Sequence, residues 1–274
     1  MSVSVGDTLE DAVRRLMTVP GLLVLVLFAV FRLSNPVIYN TFFARGVEFA
    51  LERAGGYSLR DVELELMERG YTELLPLVEM VDKSGLEVPF PAAVAMLLAL
   101  PFIAEFLHVV GVRAIAARDP NSVPVEDIIS GLFGTYVRSV IASFVAFILI
   151  VLGTLFFLLP GLALAVLFLF VRQRIALDGD GIFEALSNSY NLVKANALQM
   201  VALVVVFWLT WIVTTFIAGL IPLGDLSSQF GRLVETIIVV FGVSLFTSAY
   251  LQAVGGVGGQ ATAAAAGQSE SLGA

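Results

Sequence analysis

The sequence predicts an all-α fold, a polytopic helical membrane bundle of about six transmembrane helices. Three observations carry that expectation. Residues Ser139 to Val171 contain no charged side chain, a run well beyond the ~20 residues that cross a hydrocarbon core once. The chain is 58% hydrophobic and 14% charged, with a mean hydropathy of +0.95, far from the composition of soluble domains. Windows of low charge and membrane-spanning length recur along most of the chain.

Taken in order, Thr8-Leu9-Glu10-Asp11 leading through Arg14-Arg15 predicts a short interfacial helix. A first span follows near residues 17–42. No small-residue cleavage site follows its apolar run, which reads as a retained helix rather than a signal peptide. Arg32, Asn35 and Pro36 interrupt this span and predict a kink or an early end. Residues 46–88 form an acidic helical insertion on the outer side. There Ser58 and Asp61 predict a capping box, Leu59, Val62, Leu64 and Leu66 an apolar set, and Gly70 a helix stop. Leu74, Leu75, Val78 and Val81 mark a second short helix.

The second span is expected near 89–112, followed by an interfacial helix within 119–137 and a third span near 138–159. Pro160-Gly161 supplies the reversal into a fourth span, 161–177, provided Arg172 and Arg174 snorkel to the interface. An acidic turn at Asp178-Gly179-Asp180-Gly181 opens another interfacial helix within 179–196, and spans near 197–223 and 234–254 complete the set. Residues 1–254 thus read as a single integral membrane domain, and 255–274 as a disordered tail. Trp208 and Trp211, inside the fifth span, are expected to fill the bundle core. Ser139/Ser143 and Ala142/Ala146 offer a small-residue face for close packing of the third span.

The approaches to the third and fifth spans resemble each other. Arg113 to Asp119 and Arg172 to Asp178 both begin on arginine and end on aspartate, and both lead through a turn into a helix carrying Glu126 or Glu184. With the shorter N-terminal version, the unit is an interfacial helix followed by a membrane hairpin, repeated three times. The short connections place Arg14, Arg15, Arg113, Arg118, Arg138, Arg172, Arg174 and Lys194 on one side, which predicts a cell-membrane protein with both termini cytoplasmic. The insertion opposes this with Arg45, Arg53, Arg60, Arg69 and Lys83 on the other side.

Leu159-Pro160-Gly161, and the stretch Asp178 to Asn196 with its Ala185-Leu186, Ser189 and Leu192-Val193-Lys194, resemble a large family of multi-pass proteins of uncharacterised function. That family includes the membrane domain fused to some glycerophosphoryl diester phosphodiesterases, and haloarchaea carry many stand-alone members. The resemblance covers residues 134 to 223 and implies a multi-pass membrane domain. Phosphodiesterase activity is not carried over, because the chain has no room for the soluble catalytic barrel and a single histidine. The excess of 23 acids over 15 bases agrees with a halophilic source and disfavours nucleic acid as a partner.

Several chemistries are excluded or weak. The absence of cysteine removes disulfides, thiolate catalysis and thiolate-bound metal. Asp178-Gly179-Asp180-Gly181 imitates the start of a calcium loop, but Ser189 stands where a bidentate glutamate is needed. Gly256-Val257-Gly258-Gly259-Gln260-Ala261 formally fits a dinucleotide fingerprint without the strand-turn-helix context. No catalytic residue, cofactor or metal is expected.

One possible intramembrane polar site is left: Glu105, His108 and Arg32. Glu105 and His108 are three residues apart and share a helix face. As a functional pair they could relay protons or neutralise a cation. As a structural pair they reach interfacial water or Arg113. Arg32 is the obvious partner by charge, but helical rise leaves a mismatch of about 12 Å in depth, which assigns it an anchoring role unless the helices tilt. The expected function is a non-enzymatic scaffold or lipid-environment factor of the envelope. Its partners are the lipid bilayer, and a membrane protein or a second copy. The alternative is a small-solute or ion-coupled transporter using Glu105 and His108.

Overall fold

The computed structural model describes residues 3–82, 85–117, 119–221 and 226–271, with side chains up to Gly255 apart from Met80 and Asp82. Every regular element among these residues is helical, and no strand occurs among them. Among the described residues six helices are long and apolar enough to cross a membrane: Val19–Gly55, Phe90–Ile115, Leu132–Phe156, Leu158–Asp178, Ala197–Gly219 and Ser227–Gly255. The all-α membrane bundle stands as expected. The order of an amphipathic helix and two spans recurs three times: α1 (Val5–Leu16) before α2 (Val19–Gly55), α6 (Val125–Ile129) before α7 (Leu132–Phe156), and α10 (Ile182–Ala195) before α11 (Ala197–Gly219).

The chain divides into two compact units. One comprises Met1–Ala29 and Glu105–Ala274, the other Val30–Ala104. Helix α2 does not end early at Arg32 and Pro36 but continues to Gly55, and its residues from Val30 onward belong to the second unit. Proline within a membrane helix is tolerated where the surroundings keep the backbone satisfied. The second half of α2 therefore folds with the insertion.

Within the Val30–Ala104 unit, α3 (Leu59–Glu68) starts on the expected capping box: Ser58 N–H donates to Asp61 Oδ2 at 2.7 Å and Asp61 N–H to Ser58 Oγ at 3.2 Å. The Ser58 hydroxyl and backbone N–H hold the exposed Asp61 carboxyl below its usual range. Gly70, at φ +76°, ends the helix. Leu59 is buried, with Val62 and Leu66 half-buried, but Leu64 points outward, because i, i+3 and i+7 share a face and i+5 does not. A 3-10 turn, Thr72–Leu74, leads into α4 (Leu75–Asp82), where Leu75, Val78 and Val81 turn inward and Leu74 stays exposed. Gly85, at φ +79°, lies so close to the Thr41 backbone that a Cβ would overlap it, and Leu86 N–H donates to Thr41 Oγ1 at 2.9 Å. At the start of α5 (Phe90–Ile115), Phe90 stacks on Phe49 with 4.8 Å between centroids.

In the other unit α12 (Ser227–Ser271) is the central helix: 61% of its most apolar window is buried, against 11–28% for the other spans. Phe170, Met200, Leu203, Leu245, Ala249 and Tyr250 form the main cluster around it. Helix α1 does not rest on head groups alone but docks on α12. Thr8 and Ala12 are fully buried there; Ser244 Oγ donates to the Ala12 carbonyl at 2.7 Å and Thr8 Oγ1 to Gln252 Oε1 at 3.0 Å. Small residues on both helices permit this approach. The helical path of α12 continues to Ser271, into the stretch expected as a disordered tail; Ala261 to Ala266 is rich in alanine, the strongest helix former. Trp208 is half exposed and stacks on Trp211 at 5.1 Å, so it faces outward from the span instead of filling the core.

Asp11 holds α1 in register: its carboxylate accepts from Arg14 and Arg15 at 2.6 Å each, and Arg15 Nη1 donates to the Ile115 carbonyl at 2.9 Å. Burial opposes the Asp11 charge, but hydrogen bonds from Arg14 and Arg15 outweigh it and hold the carboxyl below the usual range. A depressed folded pKa gives stabilisation that is complete above the unfolded carboxyl's pKa and is lost as pH falls through the folded one. Hydrogen exchange of residues 5–16, corrected for intrinsic rates, is expected to lose protection on acidification below the usual carboxylate range, and Asp11→Asn to flatten that dependence.

The α7–α8 hairpin reverses at one extended residue, Phe157, with φ −159° and ψ 144°; Pro160-Gly161 lies instead in the first turn of α8 (Leu158–Leu167). First-turn N–H groups have no intrahelical acceptor, so proline is accommodated there. The interfacial helix expected within 119–137 is only the five-residue α6, since Gly131 at φ +58° breaks it and lets α7 begin at Leu132.

The fourth span is itself broken between Leu167 and Val171, and Ser189 of α10 repairs the gap. Its fully buried hydroxyl donates to the Leu167 carbonyl at 2.8 Å and accepts the Phe170 N–H at 3.1 Å. Irregular backbone at membrane depth persists where protein groups satisfy it. Ser189→Ala is expected to lose about 1–3 kcal/mol in detergent denaturation, from two orphaned backbone groups, while Ser189→Thr retains most of the stability.

Candidate intramembrane ion-pair site

Three helices converge on Glu105, which lies in α5 and is 7% exposed. Its partner is Arg172 of the short helix α9 (Val171–Gln173), just after the break in the fourth span. Arg172 Nε donates to Oε1 and Oε2 at 2.9 and 3.0 Å, and Nη2 to Oε2 at 2.8 Å. From α7, Ser143 Oγ donates to Oε1 at 3.0 Å and Ser139 Oγ makes a short bond to the same oxygen. The carboxylate thus has a forked guanidinium and two hydroxyls, a geometry that offsets the desolvation of a buried charge.

Helical register explains why Arg172 can reach. Arg113 Nε donates to the Ala176 carbonyl at 3.0 Å and levels α5 with the end of the fourth span. From that rung Glu105 is eight residues back, about 12 Å, and Arg172 four residues back, about 6 Å. The long arginine stem closes the difference. Arg172 therefore turns inward to the carboxylate and does not snorkel to the interface.

His108 stands one turn from Glu105 with its ring edge-on to Phe28 at 5.1 Å. Glu105 and His108 share one unit, whereas Arg32 belongs to the Val30–Ala104 unit. The sequence reading missed Arg172, Ser139 and Ser143. The signal was available in part: Ser139 and Ser143 lie one turn apart in an otherwise apolar helix, which marks a polar line as well as a small-residue face.

A second polar layer lies toward the ends of the spans. Arg174 opens a π-helical turn, Arg174–Asp178, and bonds Asp178 at 2.5 Å, Asp180 at 2.8 Å and the Tyr250 hydroxyl at 3.1 Å. The Tyr250 hydroxyl donates to Asp178 at 2.5 Å, Asn188 Nδ2 to Asp180 at 2.8 Å, and Arg138 Nη1 to the Gly179 carbonyl at 2.5 Å. The two aspartates that imitated a calcium loop are thus engaged by Arg174. Arg113 Nη1 donates to the carbonyls of Ile128 and Ser130 at 2.8 Å each, and Nη2 to Thr135 Oγ1 at 2.8 Å. These arginines act as staples between backbone segments.

Comparison with protein families matches residues 91–266 to the family described as a domain of unknown function (DUF7847), and the chain belongs to that family. No curated protein and no solved structure gave a match.

Proposed function

We propose that this family member is a non-enzymatic membrane scaffold that shapes its lipid environment or a membrane assembly, with Glu105 and Arg172 serving as a structural clamp. The observation that carries the reading is the saturation of Glu105. Both oxygens accept from Arg172, and Oε1 accepts from two hydroxyls as well, so neither stands ready to take and release a proton or cation. The many-point stapling of span ends by Arg113, Arg138 and Arg174 suits a fixed bundle better than a rocking one. The orientation proposed with it places both termini and these staples on the cytoplasmic side. A second copy or another membrane protein would pack on the exposed apolar faces of the spans.

The second reading is an ion-coupled transporter, favoured by His108, which borders a cavity among the spans. Single cysteines at positions 105 and 108, in a background that has no cysteine, separate the two. The scaffold predicts no labelling by a membrane-impermeant reagent from either side while loop positions react. Labelling that switches sides under an ion gradient would overturn it.

A further inference from the structure

Beside the clamp is a cavity of about 230 Å³. Val112 of α5, Phe207 of α11, and Val239 and Phe246 of α12 supply its apolar wall. The polar rim is His108, Arg172 and Gln173. Arg172 lines the cavity and Glu105 is not part of its lining. Arg172 commits Nε and Nη2 to Glu105, and among the described residues its Nη1 makes no hydrogen bond. Gln173 is 5% exposed, and its amide oxygen has no partner among the described residues. Buried polar groups are nearly always paired, and an orphaned acceptor at a cavity rim calls for a donor, a ligand hydroxyl or water.

We propose that this cavity binds the phosphate group of one anionic phospholipid, an assignment that deepens the lipid-environment reading and rests on it. An unengaged guanidinium N–H is a strong donor to a phosphate oxygen, and the Gln173 amide oxygen can accept from a hydroxyl of a glycerol head group. The clamp is neutral in sum, which suits a phosphodiester monoanion rather than a free dianion. The volume falls below the roughly 300 Å³ of the smallest drug-sized pockets, enough for a head group and its first carbons, with the acyl chains left in the bilayer. The apolar wall takes those first carbons. Gly242 on the same wall makes room for Phe207, whose ring lies 2.6 Å from where a Cβ would stand.

The full chain, reconstituted in vesicles of equal parts phosphatidylglycerol and phosphatidylcholine and then extracted in mild detergent, is examined by native mass spectrometry. One retained phosphatidylglycerol per chain is expected, with retention lowered about tenfold in Val239→Trp, which fills the cavity while leaving Glu105 and Arg172 unsubstituted. Arg172→Lys is expected to weaken it too, by losing the fork. Equal retention in Val239→Trp, or equal retention of phosphatidylcholine, would overturn the site. Displacement by inorganic phosphate would also overturn it by assigning the cavity to free phosphate. A pH-sensitive dye in the same vesicles keeps the two readings apart: proton flux defeats the scaffold, whereas absent retention without flux defeats the lipid site alone.

Discussion

Arg172→Ala is expected to destabilise the bundle by about 3 kcal/mol, more than Glu105→Gln, and the double substitution Glu105→Leu with Arg172→Leu to recover most of that loss. Removing one partner of a buried pair strands the other, at about 3–5 kcal/mol, whereas replacing both by apolar residues is often neutral. The lower end applies because the Arg172 side chain is 38% exposed while that of Glu105 is 9%. The same asymmetry sets the order of the single variants. A stranded Arg172 can turn its head toward the interface, but a stranded Glu105 stays enclosed with Ser139 and Ser143. Denaturant titration in detergent ranks these proteins, and the single variants Glu105→Leu and Arg172→Leu complete the cycle that gives the coupling energy. A double variant as unstable as Arg172→Ala would mean that the pair does more than satisfy itself.

Much of this fold was legible because a bilayer leaves a chain few options. Hydrocarbon demands helices of about 20 apolar residues, so charge-free windows such as 197–223 announce α11 (Ala197–Gly219) almost directly. Local chemistry was legible for the same kind of reason: the Ser58–Asp61 box and the Gly70 stop depend on residues a few positions apart. Contacts distant in sequence were not. Glu105 and Arg172 are 67 residues apart, and their meeting depends on a break in the fourth span that no residue near Phe168 to Phe170 signals. That break exists because Ser189 supplies the missing partners. Periodicity identifies Ser189 as part of a helix face but says nothing of what its hydroxyl meets. Pro160-Gly161 was misplaced by three residues for a related reason. Proline forbids a helix interior but not a first turn, so the dipeptide marks the start of α8 as readily as the loop before it.

Gly161 carries the second large effect. In the α7–α8 hairpin a Cβ at 161 would overlap the Thr154 hydroxyl and stand 2.8 Å from both the Thr154 Cβ and its backbone N. On the other helix, a Cβ at Gly153 would stand 3.2 Å from the Gly161 backbone. Each glycine thus permits the other helix to approach, the small-residue logic by which membrane helices gain van der Waals contact. Overpacking costs roughly 1–3 kcal/mol where side chains can yield, and more where backbone must move. Gly161→Leu is accordingly expected to splay the hairpin and lower stability by at least about 3 kcal/mol, with Gly161→Ala intermediate. The damage should spread beyond the hairpin, because Ala142 and Ala146 of α7 share a buried cluster with Val171 and Ile175, the segment that holds Arg172. Thr154→Ala in the Gly161→Ala background tests the cause. It removes the hydroxyl but leaves the backbone nitrogen, so a partial rescue is expected. Full rescue would place the whole cost on the Thr154 side chain, and no rescue on the backbone.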